Sequence, residues 1–268
     1  YIMSNHLENE VLYEIDQHVA TITFNRAEKQ NTISGPMLNR LSELLLKADA
    51  DPEIRAIVIT GSGKFFCAGL DLRGSDISNN LATNKKSPVT LDLKNTPPTV
   101  LHNLDTPTIA SINGSAAGYG MDLALGCDIR VMADSAKLAA AFTARGVVPE
   151  SGGTWILPRL IGWAKASEII FTGKTLLAEE CLELGLVSHM VNNNEVGEKS
   201  LEIARQISSR APLAVQASKR MMRMGMNENF NDHVHHVFLQ LLPLFQSDDF
   251  AEGMASFMEK REAEFKGK

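Results

Sequence analysis

Two apolar runs, each ending in a glycine-bearing turn, constrain this 268-residue chain more than any other feature. The first, Ala56-Ile57-Val58-Ile59-Thr60-Gly61, leads to Phe66-Cys67-Ala68-Gly69-Leu70-Asp71. The second, Thr108-Ile109-Ala110-Ser111-Ile112-Asn113-Gly114, leads to Ala117-Gly118-Tyr119-Gly120-Met121-Asp122. Short apolar runs bounded by turn residues read as buried strands. Glycine admits backbone conformations closed to other residues, so each turn can aim main-chain N–H groups into a cleft where a helix begins. Two such turns can hold one oxyanion, and converging backbone donors are the usual device for stabilising an enolate or a tetrahedral adduct.

Around these runs the pattern alternates. Val11 to Ile15 and Val19 to Phe24 flank the polar Asp16-Gln17-His18 and read as a hairpin. From Ser34 to Ala50, Met37, Leu38, Leu41, Leu44, Leu45 and Ala48 form a helical stripe that Asp51-Pro52 ends. A polar stretch from Arg73 to Thr99 suits a flap over a site. Met121 to Gly126 reads as a short helix and Ile129 to Met132 as a strand, so strands and helices keep alternating, a pattern that favours right-handed β-α-β crossovers. From Ala164 onward the spacing is helical: Ala166 to Thr172, Ala178 to Leu184, Val196 to Ser209, Leu213 to Met226, Phe230 to Leu242, and Phe250 to Phe265. The expected division is an α/β core over residues 1–195 and a helical C-terminal region over 196–268.

Several functions are disfavoured. A net charge of −6, from 26 Lys and Arg against 32 Asp and Glu, offers no general attraction to nucleic acid or anionic lipid. No apolar stretch has the roughly 18 residues that cross a bilayer, and Tyr1 to His6 lacks the basic and apolar regions of an export signal, so a cytoplasmic protein is expected. Cys67, Cys127 and Cys181 lack the spacing of a zinc site or redox pair and read as reduced core thiols. His233, His235 and His236 fall in an expected helix where they do not share one face, which argues for a solvated surface and against a metal site. Ser151 has no nucleophile-elbow pattern, and neither a dinucleotide fingerprint nor a P-loop is present.

Six motifs in order carry a family likeness: Asn25-Arg26; Ala56 to Asp71; Asn113 to Asp122; Cys127-Asp128-Ile129-Arg130; Arg145 to Gly153; and Leu157-Pro158-Arg159-Leu160-Ile161-Gly162. Together they resemble the enoyl-CoA hydratase/isomerase family, the crotonase superfamily. The resemblance implies an α/β, crotonase-like (ClpP/crotonase) spiral of β-β-α units with a helical C-terminal region, acting on acyl-CoA thioesters as in fatty acid metabolism. It maps an oxyanion hole onto the N–H groups of Leu70 and Tyr119. Tyr119 departs from a family glycine triplet.

Family hydratases place two glutamates around a water. Here the first position is Asp122 and the second is Phe142, which cannot move a proton and is assigned to the acyl pocket; a third position, used by some family isomerases, holds Glu150. Asp122 and Glu150 are therefore the expected catalytic carboxylates, each with an alternative reading as an acid at a helix N-terminus. With one base, a 1,3-proton shift is favoured slightly over hydration, which asks for two groups. The competing readings are acyl-CoA hydrolysis or dehalogenation on the same fold, and a catalytically silent CoA-binding member. Coenzyme A is expected as part of the substrate, with no permanently bound cofactor and no metal, and its contacts map onto Arg26, Lys29, Ala68, Asp71, Leu72 and Lys260. The resemblance also implies a homotrimer or homohexamer; the charge and the lack of a spanning stretch leave neither nucleic acid nor membrane as an expected partner.

Overall fold

The computed structural model describes residues 9–71 and 94–268. The expected flap lies mostly outside them, as does Leu72. Strands β1 (Val11–Asp16) and β2 (Val19–Phe24) form the antiparallel hairpin, with Gln17 at φ 54° in its turn. Helix α1 (Gly35–Ala50) then turns Met37, Leu41, Leu44, Leu45 and Ala48 inward, as its apolar stripe dictates.

Strands β3 (Ala56–Gly61), β5 (Thr108–Ile112), β7 (Ile129–Ala133) and β10 (His189–Val191) extend the hairpin into a six-stranded sheet ordered β1-β2-β3-β5-β7-β10. All pairings after β1–β2 are parallel. Parallel strands covered on both faces read as unbroken apolar runs, which is why β3 and β5 are buried almost throughout. A smaller sheet, ordered β4-β6-β8-β9, is made from β4 (Phe65–Cys67), β6 (Ser115–Ala117), β8 (Lys137–Ala139) and β9 (Thr175–Leu177). Each long strand β3, β5 and β7 thus sends its chain into a short strand of this second sheet, and that repeated step is the β-β-α spiral. Buried Asn31 ties its turns together, donating to Ser62 O (2.9 Å) and Phe65 O (2.7 Å). Asn113 accepts from Gly61 N–H at 3.1 Å and joins the ends of the two apolar runs.

The remaining helices are α2 (Pro97–Asn103), α3 (Tyr119–Gly126), α4 (Gly153–Ile161), α5 (Trp163–Thr172), α6 (Ala178–Glu183), α7 (Val196–Ser208), α8 (Pro212–Gly225), α9 (Phe230–Leu244) and α10 (Asp248–Glu259). Helix α7 packs on β2, β3, β5 and β7, covering the large sheet. Cations dock α8 on the core: Lys219 reaches Asp128 at 2.7 Å, and Arg220 and Arg223 both reach Asp105.

One boundary differs from expectation. Helix α10 stops at Lys260 (φ 57°) instead of running to Phe265. The chain folds back there because buried Asp249 accepts from Lys266 N–H (2.6 Å) and Gly267 N–H (2.9 Å), while Glu252 pairs with Arg261. Burial pushes the thiols of Cys67, Cys127 and Cys181 up to about 12, which leaves them inert. No helix among the described residues is long and apolar enough to cross a membrane.

Candidate active site

The first turn follows β4. Gly69 sits at φ 103°, and Ile33 brackets it: Ile33 N–H donates to Gly69 O (2.9 Å) and Asp71 N–H to Ile33 O (2.8 Å). Main-chain groups alternate in direction along an extended segment, so this pairing leaves the Leu70 N–H on the other edge. Arg26 secures the turn from behind. Its buried guanidinium meets Asp71 at 3.1 Å, Glu10 at 3.2 Å and Thr32 O at 3.0 Å.

The second turn pivots on Gly118 (φ 53°), after which α3 begins with Tyr119. The N–H groups at the start of a helix have no intrahelical partner and lie at its positive pole. Neither the Leu70 nor the Tyr119 N–H donates to any group among the described residues. The two turns touch. A Cβ added at Gly69 would lie 3.0 Å from Ala117 O and 3.8 Å from Tyr119 N, and one at Gly120 would lie 2.2 Å from Cys67 O. Only glycine permits that approach of α3 to β4.

A cleft of about 580 Å³ opens over both turns. Of the residues singled out from sequence, Lys29, Ala68, Leu70, Asp71, Tyr119, Phe142 and Glu150 line it. Tyr119 is buried there, and burial together with the nearby Glu150 charge lifts its phenol well above the usual value, so it stays neutral. Arg26 and Asp122 are buried and do not line the cleft, and Lys260 caps the far end of α10.

The two carboxylates occupy different surroundings. Glu150 is exposed and makes no cap bond to α4, whose N-cap is Gly152. Asp122 is 2% exposed and crosses from α3 to α4, where its Oδ2 accepts from Ser151 Oγ (2.9 Å) and Gly153 N–H (3.1 Å). Burial raises its pKa to about 7 against the opposing pull of those bonds, with the Glu150 charge adding to the rise. The acid at the α4 N-terminus is therefore Asp122, supplied by another helix, and not Glu150.

The family model for enoyl-CoA hydratase/isomerase matches residues 14–268. The chain belongs to the enoyl-CoA hydratase/isomerase family. Among relatives, the short-chain-enoyl-CoA hydratase of Clostridium acetobutylicum is 32% identical over 96% of this chain and 97% of its own. The 1,2-epoxyphenylacetyl-CoA isomerase of Escherichia coli is 31% identical over 96% and 98%. A crystal structure of enoyl-CoA hydratase from Bacillus anthracis superposes with a TM-score of 0.88 at 32% identity, covering 97% of this chain and 100% of the other. The spiral α/β architecture is thus the crotonase fold of the enoyl-CoA hydratase/isomerase family.

In this family member, Glu28, Gln30, Thr32, Arg145 and Val147 also line the cleft wall, beyond the site residues expected from the sequence. The polar residues beside Lys29 in the Arg26–Thr32 loop carry a local signal, and Arg145 and Val147 fall within the Arg145 to Gly153 motif, whose pattern does not tell which side chains face a cleft. Ser151, which has no nucleophile-elbow pattern, instead bonds a carboxylate 29 positions away, a pairing with no local signature.

Proposed function

We propose that this family member moves a carbon–carbon double bond along an acyl-CoA thioester through an enolate. The thioester oxygen sits between the Leu70 and Tyr119 N–H groups, at the positive end of α3, and Glu150 is the base. Glu150 takes a proton from the acyl chain, the electron pair passes into the thioester oxygen, and the two amides stabilise the negative charge. The carboxylic acid so formed returns the proton two carbons away, so no atom is gained or lost. Losing one such donor typically costs about 3 kcal/mol of transition-state stabilisation.

The observation that carries this reading is the pairing of two unbonded amides with Glu150 in one cleft, while Asp122 is committed to Ser151 and Gly153. Phe142, buried in the same wall, puts an aromatic ring where hydratases of the family hold a second glutamate, and this favours a proton shift over addition of water. Coenzyme A enters as part of the substrate, and no permanently bound cofactor is needed. Lys29 faces the cleft and suits a phosphate contact, whereas Arg26 braces Asp71 and acts on coenzyme A only through that turn.

The test is turnover of 2-enoyl- and 3-enoyl-CoA substrates, followed by mass spectrometry. An isobaric product is expected, and a gain of one water as the main product would overturn the isomerase reading. Glu150→Gln is expected to lower kcat by at least about 100-fold, in the range of general-base catalysis, with acyl-CoA binding retained. Wild-type turnover in that variant would remove Glu150 from the mechanism.

A further inference from the structure

We infer that Asp122 is a positioning residue: it pins the loop that carries Glu150 to the helix that presents the Tyr119 amide, and so fixes the distance between base and oxyanion donor. This rests on the reading of Glu150 as the base. The linkage is short. Tyr119 and Asp122 share the first turn of α3, which Asp122 closes by donating its own N–H to Gly118 O at 3.1 Å. From that turn one carboxylate oxygen accepts from both Ser151 Oγ and Gly153 N–H. Ser151 is bonded directly to Glu150, and Gly153 is the first residue of α4. One side chain thus holds both sides of Gly152, which stands at φ 100°.

The packing leaves no slack in this tether. A Cβ on Gly153 would lie 2.2 Å from Asp122 Oδ1, so the carboxylate rests directly on the backbone of α4. Asp122 and Ser151 are both buried, and neither lines the cleft, which separates Asp122 from any reacting atom. A carboxylate at a helix N-terminus is favourable in itself, through the unpaired N–H groups and the helix dipole. Supplied from a different helix, the same interaction sets the spacing between two parts of a catalytic site. Displacing a reacting group by about 1 Å can cost about 100-fold in rate.

The test compares Asp122→Asn, Asp122→Ala and Ser151→Ala for kcat and KM on 3-hexenoyl-CoA, with hydrogen exchange of the segment 150–156 read by mass spectrometry. Asp122→Ala is expected to lower kcat by about 100-fold with KM nearly unchanged, and to speed exchange in that segment alone. Asp122→Asn, which keeps an acceptor for both donors, is expected to restore most of the rate. Ser151→Ala is expected to show part of the loss, and adding it to Asp122→Ala to cost little more, because both belong to one linkage. If Asp122→Ala does not fold, Ser151→Ala carries the same comparison. An Asn variant as inactive as Ala, beside a fully active Ser151→Ala, would show that Asp122 moves a proton itself and overturn the inference, as would unchanged exchange in Asp122→Ala or, failing that variant, in Ser151→Ala. An active Glu150→Gln sinks the base assignment alone, and the exchange pattern still reports the tether.

Discussion

Asp122 holds a proton at a pH where an ordinary carboxylate has long lost it. Its folded pKa of about 7 lies above the ordinary aspartate value of 3.8, so between those limits the folded chain binds more protons than the unfolded one. The stability from protonated Asp122 is therefore fully present below about pH 4 and is lost as pH rises through about 7. Glu150 is the charged neighbour that strengthens this effect; Tyr119 and Cys67 stay neutral throughout. Asp122→Asn is expected to gain stability relative to wild type across that window, to at most about 4 kcal/mol, and then hold level above it. Thermal melts of both proteins from pH 4 to pH 8 check this, and a constant difference would refute it. The turn glycines were legible in the sequence because their need is local: φ at Gly69 and Gly118 is positive whatever surrounds them. The burial of Arg26 was not, because Asp71, its partner, lies 45 positions away.

At the level of elements, the decisive contact is α3 against β4. Gly120 allows it, and Gly120→Ala is expected to force the helix off Cys67 O, moving the Tyr119 amide relative to Leu70. The expected outcome is a loss of kcat larger than the roughly 1–3 kcal/mol that overpacking typically costs in stability, read by comparing turnover with urea unfolding. Unchanged turnover would mean that the two turns need no fixed spacing. The five longer strands and the main helices were readable because each buries an apolar face with its own period, whereas β4, β6, β8, β9 and β10 have three residues each, too few to show one. The end of α10 was not. Phe250, Met254, Phe257 and Phe265 continue one helical stripe, yet Asp249 and Glu252 capture the backbone of 264–267 and fold it back. Carboxylates accepting main-chain N–H groups from a later segment leave no periodic trace.

The whole molecule carries more exposed apolar surface than its core explains. Helix α9 has no buried residue; Phe230 (78% exposed) and Phe238 (58%) stand on it and Phe245 (48%) caps its end, while Phe257 and Met258 stand on α10. Large exposed apolar side chains of this kind suit a surface that another protein covers. A second and third copy of this chain are the expected cover, since none of these side chains lines the cleft. Burying such side chains is worth about 1.5–3 kcal/mol each, enough for a few of them to hold subunits together. Sedimentation equilibrium is therefore expected to give three or six times the 29.3 kDa chain mass, and the double change Phe257→Asp with Met258→Asp to lower it. A monomeric wild-type protein would end this reading while leaving the cleft and its chemistry untouched, because Leu70, Tyr119 and Glu150 all come from one chain.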